Sequence, residues 1–248
     1  MKNKTLKIFW GIAIALTVNG AVNAQGSQNK FLSKLMSKSV EKEISVERTV
    51  SSLLKRYPDL HESIIDLAFT QYPSDYRQVI RGSLNANPNY ADEVISLAMQ
   101  HEVAQCNDII KAAIKAEPGY ADDIVLAASR IHPDDRDHIY ITALQTKPVM
   151  APTIVTTTVE EYPDDFDQLL SIAFTELPDM LDTLLQSVFA NFSDSGEEIV
   201  EVALKSVDKQ HVNTIIDQAV KAGVNKDKAI DIAVKAGYEK DNLVQHAP

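Results

Sequence analysis

His101 and Cys106 stand five residues apart, and an imidazole near a thiol is the minimum equipment of a cysteine nucleophile with its general base. A second group, His132 and His138 around Asp134, Asp135 and Asp137, contains side chains that ligate divalent metals. On a helix, ligands must be three or four residues apart to share a face, and Asp134 with His138 meets that spacing. A third group, Asp164, Asp165 and Asp167, offers carboxylates for calcium but lacks the glycine and distal glutamate of a calcium-binding loop. Only eight glycines occur, with neither a phosphate-cradling loop nor a Gly-x-Ser-x-Gly elbow. Each candidate also has a structural reading: Cys106 as a small buried hydrophobe, the acids as residues of solvated helix starts. That reading is the one the sequence favours, so the expectation is no catalytic residue, no cofactor and no metal site.

The elements that carry these residues follow from a repeat. Proline falls at Pro58, Pro73, Pro88, Pro118, Pro133, Pro148, Pro163 and Pro178, always 15 residues apart except for one interval of 30 in which Val103 takes the proline's place. With Tyr57 as position 1, residues 57–206 divide into ten units of 15 without insertion. Positions 8 and 9 are then aliphatic pairs, from Ile64-Ile65 through Ile109-Ile110 to Ile199-Val200, with Tyr140 the single aromatic among them. Position 12 is small in most units, as at Ala68, Ala98, Ala128 and Ala203. Apolar residues at 5 (or 4), 8, 9 and 12 trace one stripe of an amphipathic helix of about three turns. Proline at position 2 forces the preceding residue out of the helical region and ends each helix there. Position 3 (Asp59, Ser74, Asn89, Asp134, Asp164, Asp179, Asp194) predicts side-chain N-caps, and acids at position 6 (Glu62, Asp92, Asp122, Asp137, Asp167, Asp182, Glu197) predict capping boxes.

Odd and even units differ. Odd units carry an apolar position 4 (Leu60, Tyr90, Tyr120, Met150, Met180), whereas Asp75, Asp135 and Asp165 take that place in even units. The natural repeat is therefore a 30-residue helical hairpin, and the predicted fold is an all-α solenoid, a superhelix of about five hairpins with degenerate cap helices at both ends. This architecture resembles the helical-hairpin class to which tetratricopeptide and HEAT repeats belong, although the 34-residue period and the Trp, Gly and Ala pattern of the former are missing. The resemblance implies a scaffold or adaptor that binds along one face, and it carries over no site residue. Unit 7, with Pro148, Pro152 and the β-branched run Val155-Thr156-Thr157-Thr158-Val159, suggests a bend or a weakened helix at residues 147–159. Position 1 is Tyr57, Tyr72, Tyr162, Leu177 and Phe192 in outer units but Asn87, Glu102, Glu117, His132 and Lys147 in the middle, which fits a polar recognition strip bordered by aromatics or, more simply, aromatic packing between adjacent turns.

The ends read differently. Lys2, Lys4 and Lys7, the apolar run Ile8 to Val18, and Val22-Asn23-Ala24 have the order of a secretory signal peptide, so residues 1–24 are expected to be cleaved after Ala24 and the product to be periplasmic or secreted, with no membrane span. Residues 25–56 are expected to form a flexible polar lead (Gln25 to Lys30) and one or two cap helices, and residues 207–248 a Lys-rich C-terminal cap with glycine stops at Gly223 and Gly237. Cys106 is the only cysteine, so packing alone must hold the fold. Residues 25–56 hold seven Lys or Arg against three acids, 57–206 eight against 26, and 207–248 six against six, a balance of −14. Such charge argues against nucleic acid or an anionic lipid surface. The functional expectation is an exported, non-enzymatic scaffold for a protein or peptide partner, without a small-molecule ligand. The alternative is an acidic surface or matrix component binding polysaccharide or cations.

Overall fold

In the computed structural model residues 10–239 are described, with side chains from residue 26 onward; the predicted leader, residues 1–24, lies outside the described side chains. The described residues form fourteen α-helices and no strand. Numbered along the chain, the first is α1 (Trp10–Glu41). An odd row follows: α3 (His61–Gln71), α5 (Ala91–Gln100), α7 (Ala121–Ile131), α9 (Ala151–Glu161), α11 (Leu181–Asn191) and α13 (Val212–Lys221). The even row is α2 (Val46–Arg56), α4 (Tyr76–Leu84), α6 (Cys106–Ala116), α8 (Arg136–Thr146), α10 (Phe166–Glu176), α12 (Gly196–Ser206) and α14 (Lys226–Lys235). Each helix packs on its neighbour in sequence and on the helix two places on, which is the two-row arrangement of an α-solenoid. No helix among the described residues is long and apolar enough to cross a membrane.

The 15-residue period has a concrete backbone meaning. Position 1 is a joint: its N–H closes the preceding helix, as Tyr72 N does on Ala68 O at 2.9 Å, and its carbonyl accepts from position 4 to open a 3-10 turn over positions 2 to 4. Positions 5 to 15 are the α-helix. At Tyr57, Tyr72, Glu117, His132, Lys147, Tyr162, Leu177 and Phe192 the joint keeps φ between −144° and −124° and ψ between 52° and 82°. That is the non-helical basin a following proline imposes. Phe192 adopts it although Ser193 replaces the proline.

Val103 does not copy the proline it replaces in the frame. Here α5 ends with Glu102 in the left-handed region (φ 49°) and Val103 N donating to Ala98 O at 3.3 Å, and α6 starts directly after Gln105 with no 3-10 turn. A free N–H at 103 permits this closure, which proline would forbid. The glycine stops are as expected, with φ of 96° at Gly223 and 94° at Gly237.

The stripe is fully buried. Every residue at positions 8, 9 and 12 of the ten units has no exposed surface, including Ser83 and Thr158. The structure adds position 13, from Phe69 and Leu84 to Phe189 and Leu204, as a further core row. Burying each large aliphatic stabilises by roughly 1.5–3 kcal/mol, and the two rows together enclose one continuous apolar layer. The β-branched α9 belongs to it: the helix has the usual 11 residues, Ile154, Val155, Thr158 and Val159 are buried, and the backbone has no break. Poor propensity, a few tenths of a kcal/mol per residue, is outweighed by that burial. Residues 25–30, expected as a flexible lead, are helical and continue into the buried Leu32 and Met36 of α1.

Candidate functional site

The predicted caps at position 3 are not formed. Position 1, not position 3, is the N-cap of each 3-10 turn, so position 3 sits inside the turn and no side-chain bond caps these starts, Asn87 to Asn89 N excepted. Side-chain caps occur instead outside the array, at Ser45 and Asn225. Five of the seven position-6 acids have a different task. Asp92 accepts from Arg130, Asp122 from Thr157 at 3.1 Å, Asp137 from Gln168 at 2.6 Å, Asp182 from Gln218 and Glu197 from Lys228, in each case on the next helix of the same row. Glu47 joins the series through Arg81 at 3.2 Å. These acids tie repeat to repeat rather than closing their own helix starts.

Of the chemical candidates, His101, Cys106, Asp137 and Asp165 are engaged in the scaffold, whereas His132, Asp134 and His138 are exposed. His101 Nε2 lies 2.7 Å from Asp66 Oδ1 on α3, and Cys106, at the first position of α6, packs half-buried against the core. Burial, reinforced by the Asp135 carboxylate, pushes the Cys106 thiol above its ordinary range, the reverse of what a nucleophile needs. Among the described residues no group of three His, Cys, Asp or Glu side chains is placed to hold a metal ion. Asp137 is taken by Gln168, and Asp165 pairs with Arg136, whose guanidinium lies 3.8 Å from the centre of the Tyr162 ring. That cluster clamps the start of α8 to the start of α10.

Position 1 does not form a single strip. Because consecutive helices run in opposite directions, Tyr57, Asn87, Glu117, Lys147 and Leu177 lie along one edge of the array and Tyr72, Glu102, His132, Tyr162 and Phe192 along the other. The aromatics pack partly buried against the core, Phe192 edge-on to Phe166 at 5.6 Å and Tyr57 to Phe31 at 6.3 Å.

Two of the recesses on the solvent side are rich in charged side chains. Between α3 and α5 a space of about 560 Å³ is lined by His61, Glu62, Asp92, Glu93 and uncharged neighbours. The His61 ring stacks on Tyr90 at 4.8 Å and lies between Pro58 O (2.8 Å from Nδ1) and Glu93 Oε2 (3.1 Å from Nε2). Burial raises the Glu93 carboxyl above its ordinary value, partly opposed by His61. On the even row, a recess of about 290 Å³ between α4 and α6 is lined by Arg77, Arg81, Lys111 and Lys115, by Ala112 and Ala116, and by one acid, Asp108. The 15-residue period makes this pairing of helices legible in the sequence, whereas charge summed over whole segments hides the cationic side chains of one row.

Sorted by row, the charge of the first repeats divides unevenly. α3 and α5 carry Glu62, Asp66, Asp92 and Glu93 with no Lys or Arg, whereas α4 carries Arg77 and Arg81 with no acid and α6 carries Lys111 and Lys115 against Asp108. No protein-family model, curated protein or solved structure matches the chain.

Proposed function

We propose that this protein is a non-enzymatic binding scaffold, exported to the periplasm or beyond the cell, that holds a protein or peptide partner on the outer surface of its helical array. The observation that carries this reading is the division of labour between residues. Positions 8, 9, 12 and 13 are consumed by the core, five of the position-6 acids by links between repeats, and His61, His101 and Cys106 by structural contacts. What the array leaves free is a long solvent-facing surface whose two rows differ in charge over α3 to α6. Extended surfaces of this sort suit macromolecular partners, since recognition spreads over an interface on the order of 800 Å² per partner. Chemical crosslinking of the native protein in its own compartment, followed by identification of the adducts, tests the reading. A defined partner is expected, and recovery of the protein alone overturns it.

A second reading has its own support. Residues 117–206 hold 18 acids against four Lys or Arg, a density suited to cations or to cation-bridged extracellular polysaccharide. Titration calorimetry with calcium and with acidic envelope glycans separates the two: heats that saturate favour the matrix role, and their absence favours the protein partner.

A further inference from the structure

We infer that the recess between α4 and α6 is the docking point of the scaffold, and that it receives a short acidic segment of a protein partner, with Lys111, Lys115 and Arg77 binding its carboxylates. This rests on the scaffold reading and adds to it a place and a chemistry. Arg77 and Arg81 are four apart on α4, and Lys111 and Lys115 four apart on α6, the spacing at which like charges on a helix repel. Two such pairs on neighbouring helices converge on one recess. Local repulsion kept in an otherwise acidic protein is the type of rule-breaking expected at a functional surface. Arg81 is partly spent on Glu47, and Arg77 lies 4.7 Å from the Tyr76 ring. Among the described residues Lys111 and Lys115 have no ion-pair partner, even though Asp108 lines the same recess.

The depth comes from small residues. Ala112 and Ala116 form the floor where Ile172 and Glu176 stand at the same positions of α10, so the four long cations rise around a shallow trough rather than over a filled surface. About 290 Å³ admits one or two carboxylate side chains, not a larger ligand. A long polyanion is disfavoured, because the chain turns strongly acidic from Glu117, the residue that follows Ala116 of the recess. A short segment that stays within the recess meets less of that repulsion, since charges more than about 8–10 Å off are screened at physiological salt. No aromatic side chain lines the recess to stack on a sugar ring, which favours a peptide over a polysaccharide.

The test uses the full chain and a fluorescein-labelled octaglutamate peptide, with anisotropy read at low and moderate salt. Binding is expected that weakens with salt and weakens about tenfold in Lys111→Ala/Lys115→Ala, the loss of two charge-assisted contacts. Lys221→Ala/Lys235→Ala, on the C-terminal cap, is expected to change it less than about twofold, because both lysines lie away from the recess. All four lysines are exposed, and unchanged circular dichroism verifies that each variant folds. Absence of binding at low salt, or equal binding by the two variants, overturns the proposal. It is also overturned if oligogalacturonate competes more strongly than the peptide, which assigns the recess to polysaccharide, or if the Lys111 and Lys115 substitutions abolish self-association, which assigns it to a second copy. A crosslinked partner retained by Lys111→Ala/Lys115→Ala leaves the scaffold reading intact and removes only this docking point.

Discussion

Cys106 shows how position decides chemistry. A thiol at the start of a helix would gain from the helix dipole, but half-burial and the Asp135 charge both oppose ionisation. The folded state therefore favours the neutral thiol, and alkylation of the native protein by iodoacetamide is expected to rise with a pH midpoint above the usual thiol value of about 8.5; a midpoint below that value contradicts the burial argument. Gly82 is the other decisive residue. A glycine inside a helix normally costs about 0.5–1 kcal/mol relative to alanine, so Gly82→Ala would stabilise an isolated helix. A methyl there, however, would sit 2.5 Å from the Glu47 carbonyl oxygen of α2. Since the obstacle is backbone, overpacking at about 1–3 kcal/mol wins, and chemical denaturation should show a net loss. Neither effect can be read from residue type, because the sequence does not say what stands opposite.

At the scale of elements, the joint at position 1 sorts otherwise similar substitutions. Phe192 already holds the conformation that precedes a proline, and Ser193 N takes no part in the backbone bonds of that turn. Ser193→Pro is therefore expected to stabilise by roughly 0.4–1 kcal/mol through the unfolded chain. Val103→Pro restores the same repeat motif on paper yet is expected to destabilise by about 1–3 kcal/mol, since it removes the Val103 to Ala98 bond and strains Glu102 at φ 49°. Urea midpoints of the pair check both signs. Prolines told where helices end; they could not tell that position 3 would lie inside a 3-10 turn and leave Asp59, Asp134 and Asp164 without a cap to form. Asp92, Asp122, Asp137, Asp182 and Glu197 at position 6 fit capping boxes in the sequence, because the partner that uses each lies 31 to 38 residues away in the chain but on the next helix of its row in space.

For the whole molecule, charge and row order set the balance. The 18 acids against four cations of residues 117–206 repel one another, whereas exposed pairs such as Asp92 with Arg130 contribute only about 0.2–1 kcal/mol each. Repulsion is the larger effect, so the melting temperature is expected to rise as salt is raised from roughly 10 mM to 300 mM and the screening length shrinks from about 30 Å to under 10 Å; a fall would show that ion pairs dominate. The sequence by itself determined the period, the helical class, the hairpin pairing and the residues at positions 8, 9 and 12 that are buried, because these follow from local sterics and a face that repeats along one chain. Only the tertiary structure decided that position 13 joins the core, that position-6 acids bridge repeats, that the position-1 residues split between two edges, and that Arg77, Arg81, Lys111 and Lys115 meet in one recess. Each of those depends on which side chain stands across a gap between helices, and a period fixes what recurs along the chain without fixing what it faces.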